Sequence, residues 1–134
     1  MAYNRQSSKT YNHDKGNKGE DVACKFLVNK GFAITDRNYS RAWGEIDIIG
    51  RKDNIVHFFE VKSVTTTYTD AQNGHKPEEN VHNFKIRHIR RMVETYLEEK
   101  CNGFETDFSF HVLCVFLNMQ TRRAKVEWIN DLIL

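Results

Sequence analysis

Cysteine is scarce in this chain, and the three present (Cys24, Cys101 and Cys114) have no short spacing between them. An odd, scattered set excludes a disulfide framework and a zinc knuckle, and it fits a reducing compartment. Charge of one sign is also lacking: Lys and Arg number 20 against 18 Asp and Glu, a formal net charge of +2. The molecule is therefore no polycation, and a nucleic-acid partner would have to be met by a local patch. No stretch approaches the ~18 consecutive apolar residues of a membrane helix, and the N-terminus has no apolar signal core. The expectation is a cytoplasmic chain with no membrane partner. The six histidines show no HExxH spacing, which argues against zinc catalysis, and there is no Gly-rich phosphate loop, nucleophile elbow or Cys–His pairing.

What is present is an ordinary globular composition, 40% hydrophobic and 12% aromatic, in 134 residues. That length suits one domain with a core of its own. Residues 1–12 are polar and aperiodic and are expected to form a flexible tail, leaving 13–134 as a single domain. From Lys15 the pattern is helical, with Val22, Ala23, Phe26 and Leu27 on one face and Gly31 as the stop. Strands follow at Phe32 toward Tyr39, Glu45–Ile49 and Ile55–Val64, the last two joined as a hairpin through Lys52-Asp53-Asn54. A polar loop from Thr65 to Pro77 leads to a long helix that ends near Lys100. Phe108–Leu117 reads as a central strand and Ala124–Ile129 as an edge strand. The order is α-β-β-β-α-β-β, without internal repeats.

Two short acidic segments interrupt this apolar pattern: Gly44-Glu45-Ile46-Asp47 and Glu60-Val61-Lys62. Carboxylates are depleted in strands because they lose hydration there. Glu60 and Lys62 share a strand face, ~6.6 Å apart along the strand. Glu45 and Asp47 are expected to share a face opposite Ile46 and Ile48, and antiparallel pairing can bring Asp47 and Glu60 to one cation. Spacing alone leaves two readings open. One is a metal site for phosphodiester chemistry; the other is the solvated side of a hairpin, with Lys62 pairing Glu60 or Asp47.

Taken together, these motifs resemble the PD-(D/E)XK nuclease superfamily, and within it the small bacterial YraN-like branch. The resemblance rests on Gly16-Asn17-Lys18-Gly19-Glu20-Asp21-Val22-Ala23, Arg37-Asn38-Tyr39, Gly44-Glu45-Ile46-Asp47, Glu60-Val61-Lys62, and Lys85 with His88, over about Gly16 to Val115. Two positions depart from the branch's pattern: Val64 replaces an Arg, and Glu105-Thr106 replaces an Arg-Phe step. The resemblance implies a restriction-endonuclease-like three-layer αβββαβ core with a mixed sheet between helices. It implies Mg²⁺ or Mn²⁺ held by Asp47, Glu60 and the Val61 carbonyl. It further implies catalysis by Asp47, Glu60 and Lys62, with Lys62 orienting or deprotonating the attacking water. Glu20 matches an acidic position of the family and could join the site; an equal reading makes it a carboxylate favourable to the helix dipole. Glu45 is expected to support rather than ligate.

The candidate nucleic-acid contacts are Lys85, Arg87, Arg90 and Arg91 on the long helix and Arg37 and Arg41 near Tyr39 and Trp43. Their bland counterparts are a solvated helix face with an Arg90–Glu94 pair, and a Trp43 that anchors its loop to the core. His57 and His111 are expected to be structural. The expected activity is metal-dependent hydrolysis of DNA phosphodiesters, with branched or junction DNA as candidate substrates and a homodimer where both strands are cut. The rival functions are a nucleic-acid-binding module without turnover and a protein-interaction adaptor.

Overall fold

The computed structural model describes residues 6–66 and 83–129, with side chains for 18–65, 87–103 and 105–129. The elements are α1 (Gln6–Asn29), β1 (Ala33–Arg41), β2 (Gly44–Lys52), β3 (Ile55–Thr66), α2 (Asn83–Lys100), β4 (Phe108–Asn118) and β5 (Arg123–Ile129), with one 3-10 turn at Gly103–Glu105. α1 begins at Gln6, inside the stretch read as a tail, because nothing between Gln6 and Lys15 breaks a helix. Residues 1–5, the Thr65–Pro77 loop from residue 67, and the expected helix start at Pro77 lie outside the described residues.

α1 ends as its sequence dictates. Gly31 takes a φ of 95°. The N–H of Phe32 donates to the Leu27 carbonyl and that of Gly31 to Val28, both at 3.0 Å. This is a Schellman closure, with Phe32 and Leu27 packed in the same core cluster. Asp53 and Asn54 both adopt positive φ, 54° and 63°, so the β2–β3 connection is a two-residue type I′ turn. That turn pairs Lys52 with Ile55 and fixes the register of the whole hairpin.

The five strands form one mixed sheet in the order β1-β2-β3-β4-β5. β3 and β4 run parallel, and the other neighbours run antiparallel. A parallel pair needs a crossover, and α2 supplies it. α2 packs Ile89, Met92, Val93, Tyr96 and Leu97 on one face of the sheet, against Ile46, Ile49, Phe58, Phe110 and Val112. α1 packs Ala23 and Leu27 on the other face, against Ile48, Phe59, Leu113 and Val115. The result is the restriction-endonuclease-like α/β core, three layers thick, with β5 at an edge as its sequence suggested.

Candidate metal and phosphodiester site

The site lies where the sheet splits. β2 and β3 are paired from Lys52↔Ile55 as far as Ile48↔Phe59, and there the ladder stops. β2 stays with β1 as far as Arg41↔Gly44, while β3 stays with β4 to its end. Asp47 and Glu60 are the next residues on the two strands, close enough for the charge of Glu60 to act on Asp47. Past them the Val61 N–H has no β2 carbonyl to meet, and it donates instead to Oδ2 of Asp47 at 2.7 Å. A backbone donor inside a sheet must find an acceptor, and the Asp47 side chain is the one it finds.

The alternation of β2 slips at this point. Ile46 belongs to the core under α2 and Ile48 to the core under α1. The expectation that these two isoleucines share a face is thus corrected: the strand twists out of phase at Asp47 as it leaves β3. Regular alternation holds in β3. Glu60 pairs with Val112 and Lys62 with Cys114, both core residues on the α2 side, so Glu60 and Lys62 share that face. Glu60 is only 9% exposed, and its Oε1 lies 3.9 Å from the Lys62 ammonium.

Burial is the main force on Asp47. Together with the nearby charge of Glu60, and less strongly of Glu20 and Glu45, it pushes the carboxyl up to about 8, against the opposing pull of the Val61 N–H. Two carboxylates held close, with one ammonium beside them, favour a further positive charge. Among the described residues no three His, Cys, Asp or Glu side chains converge as a ligand set. A metal here would therefore rely on two carboxylates, a backbone carbonyl and water. Strand geometry sends the Val61 carbonyl to the same side as its N–H. Such an all-oxygen, partly hydrated donor set fits Mg²⁺ or Mn²⁺ and not zinc.

Glu20 reaches the site from α1 because that helix comes very close to β3. A Cβ added to Gly19 would lie 1.7 Å from Oγ of Ser63. Arg37 holds Glu20 at 3.6 Å and Asp21 at 2.9 Å. Asn38, with its amide oriented to suit its neighbours, donates to Glu45 Oε1 at 2.9 Å and to Glu20 Oε2 at 3.2 Å. Asn38 thus ties the two outer carboxylates together from a left-handed backbone, φ 53°, which Asn tolerates better than most residues. The sequence marks Asn38 only as a member of the Arg37-Asn38-Tyr39 step and assigns it no role. Its available signal was an Asn at an irregular point of a strand.

Most of the expected nucleic-acid contacts that are described are engaged by other side chains. Arg37 is engaged with Glu20 and Asp21, and Arg41 with Glu99, which also accepts from the Tyr39 hydroxyl at 2.8 Å. Arg90 pairs with Glu94 at 3.3 Å. Arg91 lies 4.4 Å above the Trp43 ring, and the ring packs against the core as an anchor would. Arg87 is exposed, and the side chain of Lys85 lies outside the described residues. His57 and His111 meet at 2.9 Å in an aromatic cluster with Phe32, Phe59 and Trp128. Among the described residues no helix is long and apolar enough to cross a membrane.

Known proteins of one family resemble this chain in sequence. The model of the uncharacterised protein family UPF0102 matches residues 19–125. A UPF0102 protein of Campylobacter jejuni is 40% identical over 97 residues, 72% of this chain and 79% of its own length. Its counterpart in Campylobacter lari is 40% identical over 102 residues, 75% of this chain and 82% of its own. One from Campylobacter hominis is 32% identical over 119 residues, covering 89% of this chain and 93% of itself.

Proposed function

The chain belongs to the uncharacterised protein family UPF0102, the YraN family, and from the chemistry of its split sheet we propose that it is a metal-dependent nuclease hydrolysing DNA phosphodiesters. The observation that carries this reading is the meeting of Asp47 and Glu60 just past the end of the β2–β3 ladder, where the charge of Glu60 acts on Asp47, with Lys62 3.9 Å from Glu60. Asp47, Glu60 and the Val61 carbonyl would hold Mg²⁺ or Mn²⁺. Such an ion, when bound, neutralises phosphate charge and makes water a better nucleophile.

The chain's own groups do the rest. Lys62 carries its ammonium on the face it shares with Glu60, where it orients the attacking water and steadies negative charge growing on the phosphate. The Val61 N–H fixes the Asp47 carboxylate so that it does not rotate away. Arg37 and Asn38 hold Glu20 beside the ligands, where it serves as a supporting acid. Water adds at phosphorus, the bond to one ester oxygen breaks, and that oxygen leaves protonated as an alcohol.

Linear, flapped and four-way DNA incubated with Mg²⁺ or Mn²⁺ tests the reading. Cleavage of at least one form is expected, and Asp47→Asn, Glu60→Gln and Lys62→Ala should each lower its rate by about 100-fold or more. Undiminished cleavage in those variants rejects this site. Sedimentation with and without DNA reports whether two copies assemble to cut both strands. A second reading, a DNA-binding module without turnover, is favoured by the two-carboxylate ligand set among the described residues. Salt-dependent binding with no cleavage of any form selects it.

A further inference from the structure

A groove runs between α1 and the β4–β5 hairpin, and its cavity measures about 520 Å³. Lys18, Arg122 and Arg123 rim it, and Val22, Leu117 and Met119 are among the apolar residues that line it. Among the described residues the lining contains no carboxylate, and none of the three cations forms an ion pair. Met119 is 54% exposed, an unusual position for a large apolar side chain.

The hairpin that presents the arginines is well braced. Oδ1 of Asn118 accepts the N–H groups of Gln120 and Thr121 at 3.0 and 3.1 Å. Arg122 occupies a left-handed position, φ 55°, next to the first residue of β5. The groove lies on the α1 face of the sheet, the face opposite Glu60 and Lys62. Lys18 precedes Gly19, the residue in close approach to Ser63, and Ser63 follows Lys62. Leu117 pairs with Thr65 two steps further along β3.

We propose that this groove, on the α1 face of the sheet, holds a single-stranded stretch of nucleic acid. Phosphates meet Lys18, Arg122 and Arg123, while sugars and base faces rest on the apolar floor. Charge complementarity selects a polyanion. The cavity volume is in the range of sites that enclose a small ligand, and a single strand can lay a nucleotide into such a groove while a duplex keeps its bases stacked inside. Among the described residues the lining holds no aromatic ring, so the grip they supply discriminates little among bases. The proposal stands on the groove's own lining and goes beyond the nuclease reading by naming a nucleic-acid form that the chain holds away from the split. It places a phosphate contact on the face of the sheet opposite the α2 arginines, Glu60 and Lys62.

The test is fluorescence anisotropy in EDTA with a labelled single strand of about 20 nucleotides, longer than most single-strand sites, and with the matching duplex. Wild type is compared with Lys18→Gln/Arg122→Gln/Arg123→Gln and with Arg87→Gln/Arg90→Gln/Arg91→Gln, over a salt series. Wild type should prefer the single strand. The groove variant should lose about 10-fold in affinity or more, with a salt slope shallower by about 2, three contacts at ~0.7 each. The α2 variant should stay near wild type.

Equal affinity and slope in the groove variant, a larger loss in the α2 variant, or no binding of the single strand each overturns the proposal. If the triple variant melts below the assay temperature, Arg123→Gln alone decides, with an expected slope change of about 0.7. Cleavage is read separately. A groove effect without cleavage of any DNA sinks the nuclease reading and leaves the groove; cleavage with no groove effect does the reverse.

Discussion

Asp47 does two things that conflict in water-poor surroundings: it takes the Val61 N–H where β2 can no longer do so, and it meets the charge of Glu60. The first favours the carboxylate, while burial and the second favour the acid, and the balance leaves Asp47 at about 8. The ordinary value is 3.8. Between these limits the unfolded chain has released a proton that the folded chain keeps. Metal-free stability should therefore fall as pH rises from about 4 to about 8 and level off above. Asn at position 47 keeps an oxygen for the Val61 N–H and never ionises. In EDTA, Asp47→Asn should melt several degrees above wild type at pH 8, with ~4 °C for each kcal/mol in a chain this size. The gap should close near pH 4. A thermal melt series in which Asp47→Asn is the less stable protein at pH 8 would overturn this account of Asp47.

At the scale of elements, the contact between α1 and β3 positions Glu20, and Gly19 permits it. An alanine there places its Cβ 2.9 Å from Cβ of Ser63 even after the hydroxyl turns aside. Gly19→Ala should cost ~1–3 kcal/mol by overpacking, read as a lower midpoint in urea, and Ser63→Gly in the same chain should recover most of it. No recovery would mean that the helix is held off by something else. The elements themselves were legible in the sequence because their signals are local: period for α2, Gly31 for the end of α1, Asp53-Asn54 for the hairpin and hence for Asp47 near Glu60. The phase slip between Ile46 and Ile48 was not legible, since a run of isoleucines carries no mark of a strand parting from its neighbour. Nor were the engagements of Arg37 and Arg41. The partner of Arg41, Glu99, is 58 residues away, and only the packing of α2 across the sheet brings them together. Arg90 and Glu94, four apart on one helix, were legible for the opposite reason.

For the whole molecule, an ion bound at the split would couple to folding. The sheet is continuous from β3 to β5, and β1 and β2 form a second ribbon joined to it only from Ile48 back to Lys52. An ion held by Asp47 on one ribbon and by Glu60 and Val61 on the other would tie the two across their gap. A ligand that binds only the folded state adds stability by mass action, ~2.7 kcal/mol at 100 times its Kd, or ~10 °C here. Mn²⁺ should therefore raise the melting temperature of wild type, and Asp47→Asn and Glu60→Gln should show little or none of that rise. Ligation requires the Asp47 carboxylate without its proton. The Mn²⁺-induced shift should thus be larger at pH 8 than at pH 6, opposite in sense to the pH dependence of the metal-free protein. A shift of equal size in all three proteins, or one that shrinks as pH rises, would place the ion elsewhere and separate the split from metal binding.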